Sequence, residues 1–388
     1  MSKEVPLIYI VIGEESGDQL GARAMRAIKQ ACGGHVRFAG LAGARMQAEG
    51  LTSLFPLSEI AVMGIINIIK QYPSLYRRGM EVVDDVLAKN PDLLLIIDSP
   101  EFTHAVAKRV RKGRPDLPVI DYVSPSVWAW RPGRARKMAR YVDHVLALLP
   151  FEVEAHKRLQ GPPCSYVGHP LIERLDVLRP AAGERGSLDE PVLLVLPGSR
   201  RSEVSRLLVE FGAVVKLAKE RHPNLRVILP AVAHLKELID DGLKDWTVQP
   251  EVVLGEEAKF AAFRQAHAAL ASSGTVTLEI GLAGIPMVVA YKVDWIVRQF
   301  KWLLTAHSIV LTNLVLGYNA IPEFLDEEAN AQNLANHLLP LLEASAERAA
   351  QEAALSELDE KMTLPDETPS ERVARIVLKA LPSSSSLG

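Results

Sequence analysis

Apolar residues in this chain come in short runs. Each run closes on a turn rich in glycine, serine or proline, and each is followed by a stretch with helical character. Residues 5–12 read as a first buried strand, 13–18 as the turn after it and 19–31 as a helix. The strand pattern recurs at 36–39, 93–97, 119–123 and 142–149, and 166–170 closes this half. A stretch at 179–190, rich in Gly, Ala, Pro and charge, reads as a linker. Strands then restart at 192–196, 226–230, 252–254, 268–271 and 286–291, with helices at 202–219 and 256–265 between them. Further helical segments rich in Ala, Leu and Glu follow 321–325, and 374–381 gives a closing helix with a frayed tail. Alternating strand and helix in both halves predicts an α/β protein with two Rossmann-like domains facing a central cleft. The boundaries fall at 1–180 and 181–365, with 366–388 a C-terminal helix and tail placed to pack back on the first domain.

Two segments depart from this rhythm. Residues 54–69 (LFPLSEIAVMGIINII) and 295–318 crowd apolar side chains, with Lys or Arg at or inside their edges. Neither is long and clean enough to span a bilayer, so each reads as a buried helix or as a surface lying on a membrane. Composition adds exclusions. With 388 residues, 48% apolar and 23% charged, the chain is long enough for two packed domains. A net charge of −3 does not point to nucleic acid as a partner. Cys32 and Cys164 have no metal-ligand spacing and form no disulfide framework, which fits a reducing compartment. The N-terminus runs straight into the first strand with no cleavage-site pattern, so no signal peptide is expected.

Candidate chemistry sits at the strand ends. The run Leu193 to Leu196 stops at Pro197-Gly198-Ser199-Arg200, and a helix follows. A helix start offers unpaired N–H groups, and Ser199 and Arg200 add side-chain donors, so a phosphate suits this junction. The plainer reading is an ordinary turn with Ser202 as helix cap. No P-loop and no GxGxxG fingerprint is present. A second small-residue junction, Ser273-Gly274-Thr275, opens another helix, and Glu279 within it is placed to reach a diol. In the first half, the strand 93–97 ends in Asp98, with Ser99 as expected cap and Pro100 at the first helical position. A carboxylate delivered by a buried strand costs energy unless paired, capping or functional, which makes Asp98 the first choice for a general base. His104 and Glu15 are the fallback bases; Glu15 and Ser16 share the first turn, where Asp18 reads as the cap of the first helix. Trp128, Trp130 and the basic run Arg131, Arg134, Arg136, Lys137 and Arg140 read either as packing indoles beside a solvated helix or as the place of an anionic, partly apolar ligand.

Taken together, GEESGD at 13–18, IDSPEF at 97–102, YVSPSVWAWR at 122–131, PFE at 150–152, GHP at 168–170, LPGSRRSE at 196–203, SGTVTLE at 273–279 and PEF at 322–324 resemble one family. That family is lipid-A-disaccharide synthase, an inverting glycosyltransferase family of the GT-B fold. The resemblance covers about residues 5–375, in family order. It implies transfer of 2,3-diacylglucosamine from its UDP ester to 2,3-diacylglucosamine 1-phosphate, giving a β-1,6-linked disaccharide and UDP. It implies Asp98 as base, and Ser199, Arg200, Gly274, Thr275, Glu279 and Asn313 around the UDP-sugar. Glu15, Ser16, Asp18, His104, Trp128 and Arg131 would then line the acceptor side. No metal and no cofactor is implied, nucleic acid is not a partner, and the chain would work as a monomer or homodimer. The expected location is the cytoplasm, peripherally attached to the inner membrane. Three departures leave the donor loops open: Leu311-Thr312-Asn313 where Leu-Pro-Asn is usual, Gly40-Leu41-Ala42-Gly43 where Gly-Ile-Gly-Gly is usual, and Asp326 where a glutamine is usual. Two alternatives remain. One is another UDP-sugar enzyme of the same fold, such as an epimerase, against which the apolar patch argues. The other is a silent binding scaffold, against which Asp98, Arg200 and Glu279 argue.

Overall fold

A computed structural model describes residues 5–60, 65–292 and 307–382, with the side chains of 65–71 also outside the described set. Residues 61–64 and the side chains of 65–69 in the apolar segment 54–69, and residues 295–306 in the segment 295–318, therefore lie outside the described residues. The chain divides into two units, Met1–Pro170 with Leu364–Gly388, and Leu171–Thr363.

The first unit carries six parallel strands: β1 (Leu7–Ile12), β2 (Arg37–Leu41), β3 (Leu93–Ile97), β4 (Val119–Tyr122), β5 (His144–Ala147) and β6 (Cys164–Tyr166), in the order β2-β1-β3-β4-β5-β6. Every pairing is parallel, so helices cover both faces and the central strands are apolar throughout. All five residues of β3 are buried. Alternate β3 residues serve different cores: Leu93, Leu95 and Ile97 face one side, and Leu94 and Ile96 the other. The second unit repeats the plan with β7 (Val192–Leu196), β8 (Arg226–Ala231), β9 (Glu251–Leu254), β10 (Ala268–Ser272), β11 (Met287–Tyr291) and β12 (Glu323–Leu325), ordered β12-β11-β10-β7-β8-β9.

Each order reverses direction once. In the first sheet β1 is followed by β2 on one side and β3 on the other. In the second, β7 is followed by β8 on one side, and the chain later returns to β10 on the other. Loops leaving neighbouring strands at such a point diverge and open a crevice at the carboxyl ends, where open α/β sheets bind ligands. The register sets these ends side by side: Ile12 pairs with Ile97, and Leu196 with Ala271.

The C-terminal helix Pro369–Ala380 belongs to the first unit. It packs on the helix Glu15–Ala31, and its Val373, Ala374 and Val377 share a core with Met25 and Ile28. It begins five residues earlier than the pattern 374–381 predicts, because Thr368 and Glu371 form a capping box and Pro369 occupies the first turn. The stretch 179–190 is no free linker. Arg179 Nε donates to the Leu282 carbonyl at 2.9 Å and Arg185 Nη1 to that of Gly284 at 3.0 Å, which ties it to the second unit. Among the described residues, no helix is long and apolar enough to cross a membrane.

Candidate functional site

At the reversal point of the first sheet, Asp98 is the first residue beyond β3. Asp98 and Ser99 both adopt left-handed backbone, with φ of +55° and +45°. Such residues cost about 1–3 kcal/mol each and persist only where the surroundings fix them. Here the Asp98 N–H donates to the Tyr122 carbonyl at 3.0 Å, Thr103 Oγ1 donates to the Asp98 carbonyl at 2.7 Å, and the Ser99 N–H donates to Asp98 Oδ1 at 2.7 Å. Ser99 occupies the position before the helix Pro100–Gly113, but its side chain does not cap it, contrary to expectation. The left-handed backbone turns that side chain toward the loop after β1. There Gly13 leaves room for it: a Cβ on Gly13 would fall 2.3 Å from Ser99 Cβ. The two loops of the crevice are therefore in direct contact.

The first helix starts at Glu15, four residues before the predicted position 19, and this places Ser16 in its first turn. Ser16 Oγ lies 2.7 Å from Asp98 Oδ2 and 3.1 Å from Glu14 Oε1. Burial and the neighbouring Asp98 charge hold the Glu14 carboxyl above the usual glutamate range. Glu14, not Glu15, is the acid set against Asp98; Glu15 lies exposed in the first helical turn.

Two residues expected at this site do other work. Asp18 does not cap its own helix. It is buried, and its carboxylate accepts the N–H groups of Gly43, Arg45 and Met46 at 3.0, 2.9 and 3.0 Å, capping the next helix, Ala44–Ala48. His104 is buried too, with Nε2 at 3.1 Å from Asp121 Oδ2 on β4 and Nδ1 at 3.2 Å from the Tyr141 hydroxyl. Enclosed between these partners, it is a poor fallback base. Trp128 is fixed by its surroundings: Nε1 donates to Glu152 Oε1 at 3.2 Å, and its ring meets Phe151 edge-on at 5.1 Å. Burial pushes the Glu152 carboxyl up to about 7, although the Leu149 N–H donates to it at 3.0 Å. Beyond this anchor, Trp130 and Arg131 are exposed, with the guanidinium 5.2 Å over the indole.

At the reversal point of the second sheet, the loops after β7 and β10 are the two small-residue junctions of the sequence. The helix Arg201–Arg221 begins one residue before Ser202, with Arg200 in the capping position. Its start is not fully unpaired. The buried Glu203 carboxylate accepts the N–H groups of Ser199 and Arg200 at 3.2 and 3.3 Å, and Arg200 Nη1 at 2.8 Å. The Arg200 side chain is nonetheless 76% exposed, so its guanidinium reaches solvent beside that pair. After β10, Gly274 has a φ of +149°, a turn that glycine permits, and Thr275 leads into the helix Val276–Leu282. Glu279 pairs with Lys259 Nζ at 2.8 Å, so the carboxylate is held rather than loose.

The Asn313 amide is turned inward. It is fully buried; Nδ2 donates to the Ile321 carbonyl at 2.9 Å and Oδ1 accepts the Ile321 N–H at 2.8 Å. An amide with both ends bonded to the backbone pins the turn after the helix Leu311–Leu316. Asp326, at one of the departures, has a φ of +51°, a conformation that Asp tolerates.

A model of the family described as lipid-A-disaccharide synthetase matches residues 8–377. The chain belongs to that family. It is 50% identical over 383 residues to the lipid-A-disaccharide synthase of Nitrobacter hamburgensis, covering 97% of this chain and 96% of the relative. To the synthase of Rhodospirillum centenum it is 39% identical, covering 97% and 94%. Solved structures share its architecture at much lower identity. The glycosyltransferase of kitacinnamycin superposes with a TM-score of 0.61 at 15% identity, covering 97% of this chain and 99% of that one. The UDP-GlcNAc 2-epimerase of Neisseria meningitidis, bound to UDP-GlcNAc, gives 0.59 at 12%, covering 97% and 99%. The lipid-A-disaccharide synthase family is one of glycosyltransferases, and the chain has their two-domain GT-B fold. Glu14, Glu152 and Glu203 were not among the residues the sequence singled out. All three stand inside motifs of this family, and a second acid in GEESGD was the one visible signal for Glu14.

Proposed function

We propose that the chain transfers 2,3-diacylglucosamine from UDP-2,3-diacylglucosamine to the 6-hydroxyl of 2,3-diacylglucosamine 1-phosphate. The nucleotide lies in the crevice between β7 and β10. Its diphosphate meets Ser199, the guanidinium of Arg200 and the Gly274–Thr275 turn, and its ribose meets Glu279, which Lys259 keeps in place. Asp98, at the crevice between β1 and β3, takes the acceptor proton. As that proton leaves, the 6-oxygen bonds to the anomeric carbon and the carbon–diphosphate bond breaks on the opposite face. One displacement turns an α-linked donor into a β product, with no protein nucleophile. Cationic and N–H donors stabilise the departing charge.

The observation that carries this reading is placement. The carboxylate and the two small-residue junctions, picked out for their chemistry, stand at the single reversal point of their own sheet, where ligands bind. Both substrates carry acyl chains, so the protein works as a peripheral protein at the cytoplasmic face of the inner membrane. Exposed Trp130 with Arg131, Arg136, Lys137 and Arg140 suits contact with anionic headgroups. Purified protein given both substrates in anionic vesicles should sediment with the vesicles and release UDP. It should also form a disaccharide whose new linkage is β by NMR. An α linkage, or donor epimerised with no disaccharide formed, would overturn the reading.

A further inference from the structure

The contacts around Ser16 contain one hydrogen too few. Its hydroxyl oxygen is within hydrogen-bond distance of two carboxylates, Asp98 Oδ2 at 2.7 Å and Glu14 Oε1 at 3.1 Å, and a hydroxyl donates only once. If Ser16 donates to Asp98, the shorter contact, the Glu14 contact is attractive only when Glu14 itself supplies a proton to Ser16 Oγ. Two charged carboxylates on one hydroxyl would repel, so the arrangement holds one proton more than two ionised acids do. Desolvation and the Asp98 carboxylate at the end of β3 hold the Glu14 carboxyl above the ordinary range, and they outweigh the Ser16 hydrogen bond, which alone would lower it. Glu14 and Ser16 are exposed while Asp98 is half-buried, so of the two acids Glu14 is the one more open to water.

We propose that Glu14 is a positioning and proton-exit residue for the transfer reaction, joined to Asp98 through the Ser16 hydroxyl. This rests on the reading of Asp98 as base. Before reaction Glu14 is neutral and donates to Ser16 Oγ, and Ser16 donates to Asp98, which is charged. This aims the Asp98 carboxylate and leaves it able to accept a proton. When the acceptor hydroxyl has given its proton to Asp98, both acids are neutral. Glu14 then loses its proton to water. Ser16 turns to donate to the Glu14 carboxylate, passes its own proton to Glu14 and takes the proton of Asp98 in its place. The starting arrangement returns, and one proton has passed from acceptor to solvent for each sugar transferred.

The test is a kinetic cycle on the full chain with Glu14→Gln, Ser16→Ala and the double variant, with Ser16→Thr and Asp98→Asn as references. Each of the first two should lower kcat roughly ten-fold with donor KM unchanged, less than the ~10²-fold of losing the base itself. The double variant should be no slower than either single one, because both interrupt the same path. Ser16→Thr keeps the hydroxyl and should restore most of the rate. The break that Glu14 contributes to the kcat–pH profile should vanish in Glu14→Gln and persist in Ser16→Ala. Wild-type kcat and an unchanged profile in Glu14→Gln, or losses that multiply in the double variant, would overturn the relay. If Asp98→Asn is inactive in that case, the base stands and the relay alone has failed. An active Asp98→Asn would instead remove the base.

Discussion

Asp98→Asn should lower turnover by roughly 10²-fold or more while UDP affinity is retained. The substitution removes the proton acceptor and little else. Asparagine tolerates the left-handed backbone that Asp98 adopts at φ +55°. Its amide oxygen can still accept the Ser99 N–H, and its nitrogen can donate to Ser16 Oγ, so both contacts of the carboxylate have a counterpart. A thermal melt close to wild type and unchanged UDP calorimetry would show that the loss belongs to the chemical step. Near-normal turnover by the folded variant would remove Asp98 from the mechanism. The search would then turn to Glu14, which lies against the same hydroxyl, rather than to His104, which is enclosed by Asp121 and Tyr141.

Gly13→Ala should be comparably damaging, by a different route. The added Cβ would lie 2.3 Å from Ser99 Cβ and 2.6 Å from Ser99 Oγ. A Cβ cannot rotate away, so relief has to come from moving the left-handed pair that carries Asp98. Misplacing a reacting group by about 1 Å costs on the order of 10²-fold in rate, and a fall of that size in kcat is expected, with a lowered melting temperature. The control is specific. Gly13→Ala combined with Ser99→Gly removes the opposing Cβ at a position whose φ of +45° suits glycine, and should recover most of the activity. Gly13→Ala with Ser99→Ala keeps the clash and should not. Full activity of Gly13→Ala alone would mean that the contact between these loops does not set the position of Asp98.

The features legible in the sequence were those written locally. β3 is five consecutive apolar residues closed by an acid, and β7 is the same closed by Pro-Gly; both strands and the junctions after them stand where the pattern put them. The contacts not legible there are those whose partners are brought together only by the fold. Asp18 looks like a helix cap because it follows a glycine-rich turn, yet its acceptors are filled by Gly43, Arg45 and Met46. Asn313 sits in a motif position associated with the donor, but the turn at Ile321 folds back to consume its amide. Glu203 lies early in a helical stretch and carries no local sign of its role. Only the bend at Ser199 and Arg200 brings their N–H groups over its carboxylate, which leaves the exposed Arg200 guanidinium as the more accessible donor. The early start of the first helix was hidden for a related reason. Glu14, Glu15, Ser16 and Asp18 are polar enough to read as a loop, and it is Asp98, more than eighty residues on, that gives Ser16 its partner.

The most direct test of where the nucleotide binds is a crystal structure of the protein with UDP. The β7/β10 assignment requires the diphosphate to lie against Ser199, Arg200 and Gly274, with the ribose hydroxyls within hydrogen-bond distance of Glu279. A nucleotide seated at the β1/β3 crevice, or on the second unit away from both junctions, would contradict it.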